Sequence, residues 1–565
     1  MSSPRRTCLA FSTLLILSTT AAEARRHPPP DRGARGAPRV VEVTPDGTAD
    51  GAVRTIRVTF DQPIERGRVK INDHSGYVVC HPSFFEEQTF TVQVELSKSI
   101  SSCPGGKIST RDDQTFTIRL ARPIDEKRQV KVSLNPSHVR GRNGVQMRRP
   151  FEWSFYTRPK ARVLVHAVES DGAGGYFVAG EVIGALEGTR SKGKEDAFIA
   201  RYDARGELLW GKQFGTPQAD AALDLALGPK GVVVVGYTDG AMPRSSSKGE
   251  RDVFVRTYSL DGRPTMHTQV GSPHTEAAHG VAVDAKGMIY ITGRSTRDLP
   301  SELRRKLPHD AYDILAMKLA PDGKVKWHRT YGTHVWRGDK LPADEGYDIA
   351  LDARGRPVIV GETYGALHGK RNRGAPSGFV MALSTSGKHR WTRLSEDRNA
   401  YQSIKRQGDA LLVAGVGPTI KGGTFVRYSA AGRRQAIEHY AGGGANSHQG
   451  VVFKRLATAG REAWLVGHQR RLDVAENTWR VVGMSWARVS RDGERKGRVH
   501  THRLGQRASV LDAAVNDEGA LCMAGTDAMK GFVRCVDDSG AHTVNISLRS
   551  SHRRAPRADM RMTRR

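Results

Sequence analysis

Three aspartates recur at one register in otherwise similar segments: Asp224, Asp348 and Asp512 each stand two residues before an alanine, Ala226, Ala350 and Ala514. Carboxylates gathered at equivalent positions can hold a cation or a basic ligand, or they can accept hydrogen bonds from neighbouring backbone and brace the fold. Repetition favours bracing, because an active site draws different roles from different residues. Trp210, Trp327 and Trp391 also share one repeat position, which predicts packing rather than a sugar platform. Other chemistry-bearing residues fall into no catalytic spacing: HExxH, GxxxxGK[ST] and GxSxG are absent from the chain. The 20 histidines, including His267, His274 and His279, lack the close spacing of zinc ligands and are expected at turns and surfaces. Asp46 and Asp50, in a glycine turn, lack the further oxygen ligands and terminal Glu of a calcium loop. No catalytic, cofactor-binding or metal residue is assigned, and no cofactor is expected.

The elements that would position these residues come from an internal repeat. Ala221–Leu227, a turn at Lys230-Gly231 and Val232–Val235 ending at Gly236 form one hairpin, and Val281–Gly293 and Ile349–Gly361 repeat it. A second hairpin accompanies it, as in Asp196–Tyr202, Gly206 and Leu208–Trp210, with copies at Asp252–Tyr258, Ile314–Leu319 and Phe379–Leu383. The glycine closing the first hairpin recurs as Gly180, Gly236, Gly293, Gly361, Gly415, Gly467 and Gly525, at intervals of 56, 57, 68, 54, 52 and 58 residues. Each interval holds four strand-like segments. Four strands cannot bury two apolar faces alone, whereas sheets stacked around an axis cover both. A seven-bladed β-propeller over 159–550 is therefore predicted, with the three aspartates facing its central channel. The expected register starts on an inner strand near Val163 and ends on an outer strand near Val544–Leu548, so no strand is exchanged between the ends.

Trp210-Gly211-Lys212-Gln213-Phe214-Gly215-Thr216, running to Asp220-Ala221-Ala222, and Gly287–Gly293 resemble the bacterial SBBP β-propeller repeat family. Upstream, short alternating runs at 40–43, 55–60, 69–71, 89–96, 115–120, 129–134 and 151–156 predict half-buried strands of a sandwich over 38–158. Val43-Thr44-Pro45-Asp46-Gly47, Ile56–Ile64 and Phe151–Thr157 resemble the SbsA-type bacterial Ig-like domain of S-layer and other surface proteins. That resemblance implies a spacer or adhesion module and no chemistry.

Arg5-Arg6, the apolar run Leu9–Ala22 and Ala22-Glu23-Ala24 have the order of a secretion signal, so 1–24 is expected to be removed after Ala24. Residues 25–37 read as a Pro/Arg-rich linker. Four cysteines remain after signal removal, an even number that suits disulfides in an exported chain. A hairpin that sets Gly525 opposite Phe532 also sets Cys522 opposite Cys535, and Cys80 and Cys103 are expected to tie an inserted loop. No segment outside the signal approaches the ~20 apolar residues a membrane span needs.

With 88 Lys and Arg against 59 Asp and Glu, the formal charge is +29, which draws the chain toward polyanions. The basic tail 551–565 carries six arginines and is expected to be disordered. No aromatic platform or groove-entering helix accompanies this charge, so no specific nucleic-acid recognition is expected. The reading is an all-β, monomeric, exported protein of the periplasm, cell surface or extracellular space. Its propeller face would bind a protein or polysaccharide, anionic ones included, without catalysis. The competing class is a propeller enzyme, a polysaccharide lyase, hydrolase or quinone-dependent dehydrogenase, with its site at the channel mouth.

Overall fold

The computed structural model describes residues 36–551 apart from internal stretches, of which the longest are 65–79, 83–88, 95–105, 297–311, 334–342, 417–422 and 441–448. The chain forms two compact units that divide between Arg158 and Pro159. The predicted signal, nearly all of the linker and the tail beyond Ser551 lie outside the described residues. So do Asp46, Cys103, the 69–71 run and the side chains of Asp50 and Cys80.

The first unit has two sheets. One runs in the order Val40–Thr44, Val53–Phe60, Thr115–Ile124, Gly106–Thr110, and the other Gly47–Asp50, Phe151–Arg158, Arg128–Leu134, Thr89–Val94, Cys80–Pro82. Alternation fixes which side is inside: Ile56, Val58 and Phe60 are buried while Arg57 between them is exposed. They pack with Val43, Val139, Trp153 and Phe155, and the Trp153 indole N–H donates to the Pro45 carbonyl at 3.1 Å. The edge strands Gly47–Asp50, Cys80–Pro82 and Gly106–Thr110 are additional to the predicted runs; they are short and lack a clear alternation.

The second unit is a β-propeller of seven four-stranded antiparallel sheets. Blades 1 to 7 span 162–214, 220–270, 276–331, 345–394, 400–440, 449–503 and 509–548. The first strands of successive blades touch one another, and Arg162–Ser170 of blade 1 touches Ser509–Val515 of blade 7, which completes the circle. No strand is exchanged between the ends: Arg162–Ser170 pairs within blade 1 and His542–Leu548 within blade 7. Closure rests on side chains, with Val163, Val165 and Val178 sharing one core with Ala524, Val533 and Val544. A two-residue clasp, Ser550–Ser551 against Ala185–Leu186, adds to it; the expected tail therefore begins inside a paired segment.

Each first strand carries a bulge opposite the repeat glycine. In blade 3, Ala278 faces Gly293 and Gly280 faces Thr292, leaving His279 as the extra residue. The strand before the bulge presses onto the glycine, so a Cβ on Gly293 would stand 1.9 Å from the Ala277 carbonyl oxygen. The same approach recurs at Gly180, Gly236, Gly361, Gly415, Gly467 and Gly525. This is why glycine marks the repeat where flanking residues drift.

The recurrent tryptophans lock neighbouring blades. Trp210 lies against Gly262, Trp327 against Gly387 and Trp391 against Gly432, each glycine with positive φ in a turn of the next blade. Trp210 Nε1 donates to Leu260 O at 2.9 Å and Trp327 Nε1 to Thr385 O at 3.0 Å. Met266 takes this place against Gly323 in blade 2, and Val544 against Gly206 in blade 7.

Candidate functional site: the propeller axis

The bulge aligns one residue per blade at the axis. Immediately after it stand Ala167, Asp224, Gly280, Asp348, Ser403, Arg455 and Asp512 in blades 1 to 7. Asp224, Asp348 and Asp512 thus occupy one level of the ring, and all three are half-buried.

Each aspartate reaches to the following blade. The N–H of Val281 donates to Asp224 Oδ2 at 2.7 Å, that of Ile404 to Asp348 Oδ2 at 2.8 Å, and that of Val168 to Asp512 Oδ2 at 3.0 Å. These link blades 2 to 3, 4 to 5 and 7 to 1. Ser403 Oγ serves the same purpose between blades 5 and 6, accepting from Leu456 N at 3.3 Å. Arg455 donates instead, to the carbonyls of Gln402 in blade 5 and Leu511 in blade 7.

Two residues beyond this ring the position is alanine in blades 2, 3, 4, 6 and 7, but Glu169 in blade 1 and Lys405 in blade 5. Burial, and then repulsion from Asp348 and Asp512, push the Asp224 carboxyl well above the usual carboxylate range. Asp512 and Glu169 are raised for the same first reason, against the opposing pull of Lys405. Burial disfavours the Lys405 ammonium, but Asp348, Glu169, Asp512 and Asp224 outweigh that and hold it above its ordinary value. Lys405 is thus a buried cation under the electrostatic influence of four carboxylates. A lysine so held is a poor nucleophile or base, because both roles need the free amine.

Sequence reasoning placed the three aspartates through their repetition and missed Glu169, Lys405 and Arg455, each of which occurs once. Counting back 12 or 13 residues from every repeat glycine reaches the ring position and would have exposed Arg455.

The other predicted positions are dispersed. His267 faces Ser245 Oγ at 3.1 Å and is lowered to about 4 by burial and Arg256. His279 Nδ1 lies 3.1 Å from Glu345 Oε1 and is lowered to about 3 by burial and Arg294. No three metal-capable side chains cluster among the described residues. Cys522 and Cys535 face each other across adjacent strands of blade 7 and are joined by a disulfide, with Gly525 opposite Phe532 as the hairpin requires.

Residues 34–157 match the bacterial Ig-like domain family. Over 189 residues, 31% of this chain, the sequence is 26% identical to the regulatory protein FlaEY of Caulobacter vibrioides. The match spans 19%, about a fifth, of that curated relative. Among solved structures, the WD40 domain of Neurospora crassa Pan2 is similar with a TM-score of 0.37 and 9% identity, covering 65% of this chain and 88% of that one. Virginiamycin B lyase of Staphylococcus aureus gives 0.37 and 12%, over 64% and 92%. A putative 6-phosphogluconolactonase of Bacteroides fragilis gives 0.40 and 12%, over 68% and 97%.

Proposed function

We propose that this chain is an exported recognition scaffold of the bacterial envelope or surface, acting without catalysis. The propeller would present the binding face and the Ig-like unit would serve as spacer or adhesion module. The observation that carries the reading is the use of the axial carboxylates. Asp224, Asp348 and Asp512, the conspicuous reactive groups of the repeat, each accept a backbone N–H from the next blade. Groups so engaged make a stiff ring, and a stiff ring suits recognition because little order is lost on binding.

Export is supported by the order of residues in 1–24, by the Ig-like match and by the buried Cys522–Cys535 disulfide, which belongs to an oxidising compartment. The likeness of blades 1 to 4 to SBBP repeats fits the same setting. The partner we infer is a protein or polysaccharide, and the surplus of 29 positive charges favours an anionic one.

One observation favours a second reading, a propeller enzyme: Glu169 and Lys405 are unlike residues converging at one axis. A single experiment separates the two. The purified full-length protein is incubated with panels of glycans, peptides and esters, and both retention and product release are followed. Retention without turnover is expected. Turnover that disappears in Lys405→Met would establish the enzyme instead. Export has its own check: the secreted protein should begin at Arg25, and a product retaining Met1 would overturn it.

A further inference from the structure

Blade 6 departs from the locking pattern at the outer edge of the ring. Its fourth strand, Arg495–Arg503, has its register irregularity displaced from the place it takes in the other blades to between Trp486 and Arg488, so Trp486 faces His500 while Arg488 faces Lys496. Lys496 thereby holds the pairing position that Trp210, Trp327 and Trp391 hold in blades 1, 3 and 4. His500, stacked on Trp486 at 5.3 Å, is the side chain against Gly540 of the blade 7 turn.

With no indole from Lys496, a pocket of about 530 Å³ opens between blades 6 and 7. Trp464, Trp486, Leu521 and Val536 form its apolar part, and Arg488, Lys496 and Arg498 bring the cations. Lys496 and Arg498 are exposed. Arg488 is fixed by an ion pair with Glu462. The lining carboxylate, Asp537, is turned back into its own loop, where it accepts from the N–H groups of Ser539 and Ala541. The pocket therefore meets a ligand with positive charge.

We propose that this pocket binds a carboxylate-bearing unit of an acidic polysaccharide. The inference rests on reading the propeller as a recognition scaffold and assigns that role a site away from the axis. Lys496 and Arg498 would meet the carboxylates, while the Ser539 hydroxyl stays engaged with Asp537 in its own turn. Nucleic acid is disfavoured because base stacking needs an open aromatic face. Trp464 and Trp486 are only 6% and 5% exposed, and His500 covers one face of Trp486.

The test is titration of the full-length protein with oligogalacturonate and with the same oligomer fully methyl-esterified, at low and physiological salt. Binding of the acid form alone, persisting at physiological salt, is expected. The double variant Lys496→Ala/Arg498→Ala should weaken it about tenfold or more. Lys326→Ala/Arg390→Ala, which removes equal charge from exposed positions in blades 3 and 4, should leave it within about twofold. Both pairs are exposed, so folding is not at risk, and thermal melting confirms it. Equal weakening by the two pairs, or binding that vanishes at physiological salt, means diffuse attraction and overturns the proposal. Tighter binding of an oligodeoxynucleotide, lost in the Lys496/Arg498 variant, overturns it in favour of nucleic acid. Absence of oligogalacturonate binding in the wild type also overturns it, while the scaffold reading then stands or falls on product release alone.

Discussion

At the level of single residues, the axial aspartates act as acceptors, and that makes their substitutions distinguishable. Asp224→Ala leaves the Val281 N–H without its partner and is expected to cost about 1–3 kcal/mol. Asp224→Asn keeps an acceptor oxygen and removes repulsion from Asp348 and Asp512, so by denaturant melts at neutral pH it should equal or exceed the wild type. The pH dependence has a definite sign. Asp224, Asp512 and Glu169 titrate above ordinary carboxylates in the folded chain. The folded state therefore retains protons that the unfolded chain has released, and this contribution to stability falls as pH rises from about 4 through the raised values. Lys405→Met removes the cation that offsets the cost, so its loss in melting temperature should be larger at about pH 8 than at about pH 5. Lys454 works in the opposite sense: burial, Arg455 and Arg470 lower it to about 7. Its penalty is full below that value and fades toward the ordinary lysine range. Lys454→Met should thus raise the melting temperature by a few degrees at about pH 6 and give no advantage near pH 10.5.

At the level of elements, the repeat was legible wherever sterics permitted one residue only. The bulge forces its strand onto the opposite glycine, so seven glycines survive where sequence similarity fades. Gly293→Ala would drive a methyl group into the Ala277 carbonyl and is expected to lose about 1–3 kcal/mol or more in chemical denaturation. The tryptophans were legible as packing residues for a related reason, since each fills the space above a turn glycine of the next blade. Trp210→Ala should lose about 2–4 kcal/mol, whereas a sugar platform would lose affinity and little stability. The blade 7 hairpin was legible from register, because fixing one cross-strand pair fixes the rest. Blade 6 was not legible: Lys496 and His500 share between them a place that one side chain, Trp210, Met266, Trp327 or Trp391, fills in blades 1 to 4, and a displaced irregularity in pairing leaves no compositional mark. Glu169 and Lys405 escaped for the same kind of reason, since a residue used once has no periodicity.

At the level of the whole molecule, alternation and repeat length sufficed for the architecture, an Ig-like unit and a propeller of seven blades. The clasp between Ala185–Leu186 and Ser550–Ser551 was invisible, because two serines before an arginine-rich tail resemble the tail itself. Its removal by truncation after Leu548 should lower the melting temperature only slightly, since the first and last blades share a buried core without it. Gly531→Val is expected to be far more damaging. A Cβ there already stands 2.6 Å from Val165 Cγ2, between the two terminal blades. Unlike every other pair of neighbouring blades, these two are not joined by a continuing chain connection; among the described residues the junction is held by interdigitated aliphatic groups, the Asp512 contact, hydrogen bonds from Ser170 Oγ and Gly174 N to Asp517 and from Asn516 Nδ2 to the Gly174 carbonyl, and that short strap. The wheel therefore has a seam. Deuterium should enter the amides of Arg162–Ser170 sooner than those of the equivalent strand in blade 3, and a partner gripping both sides of the seam would act as a rivet.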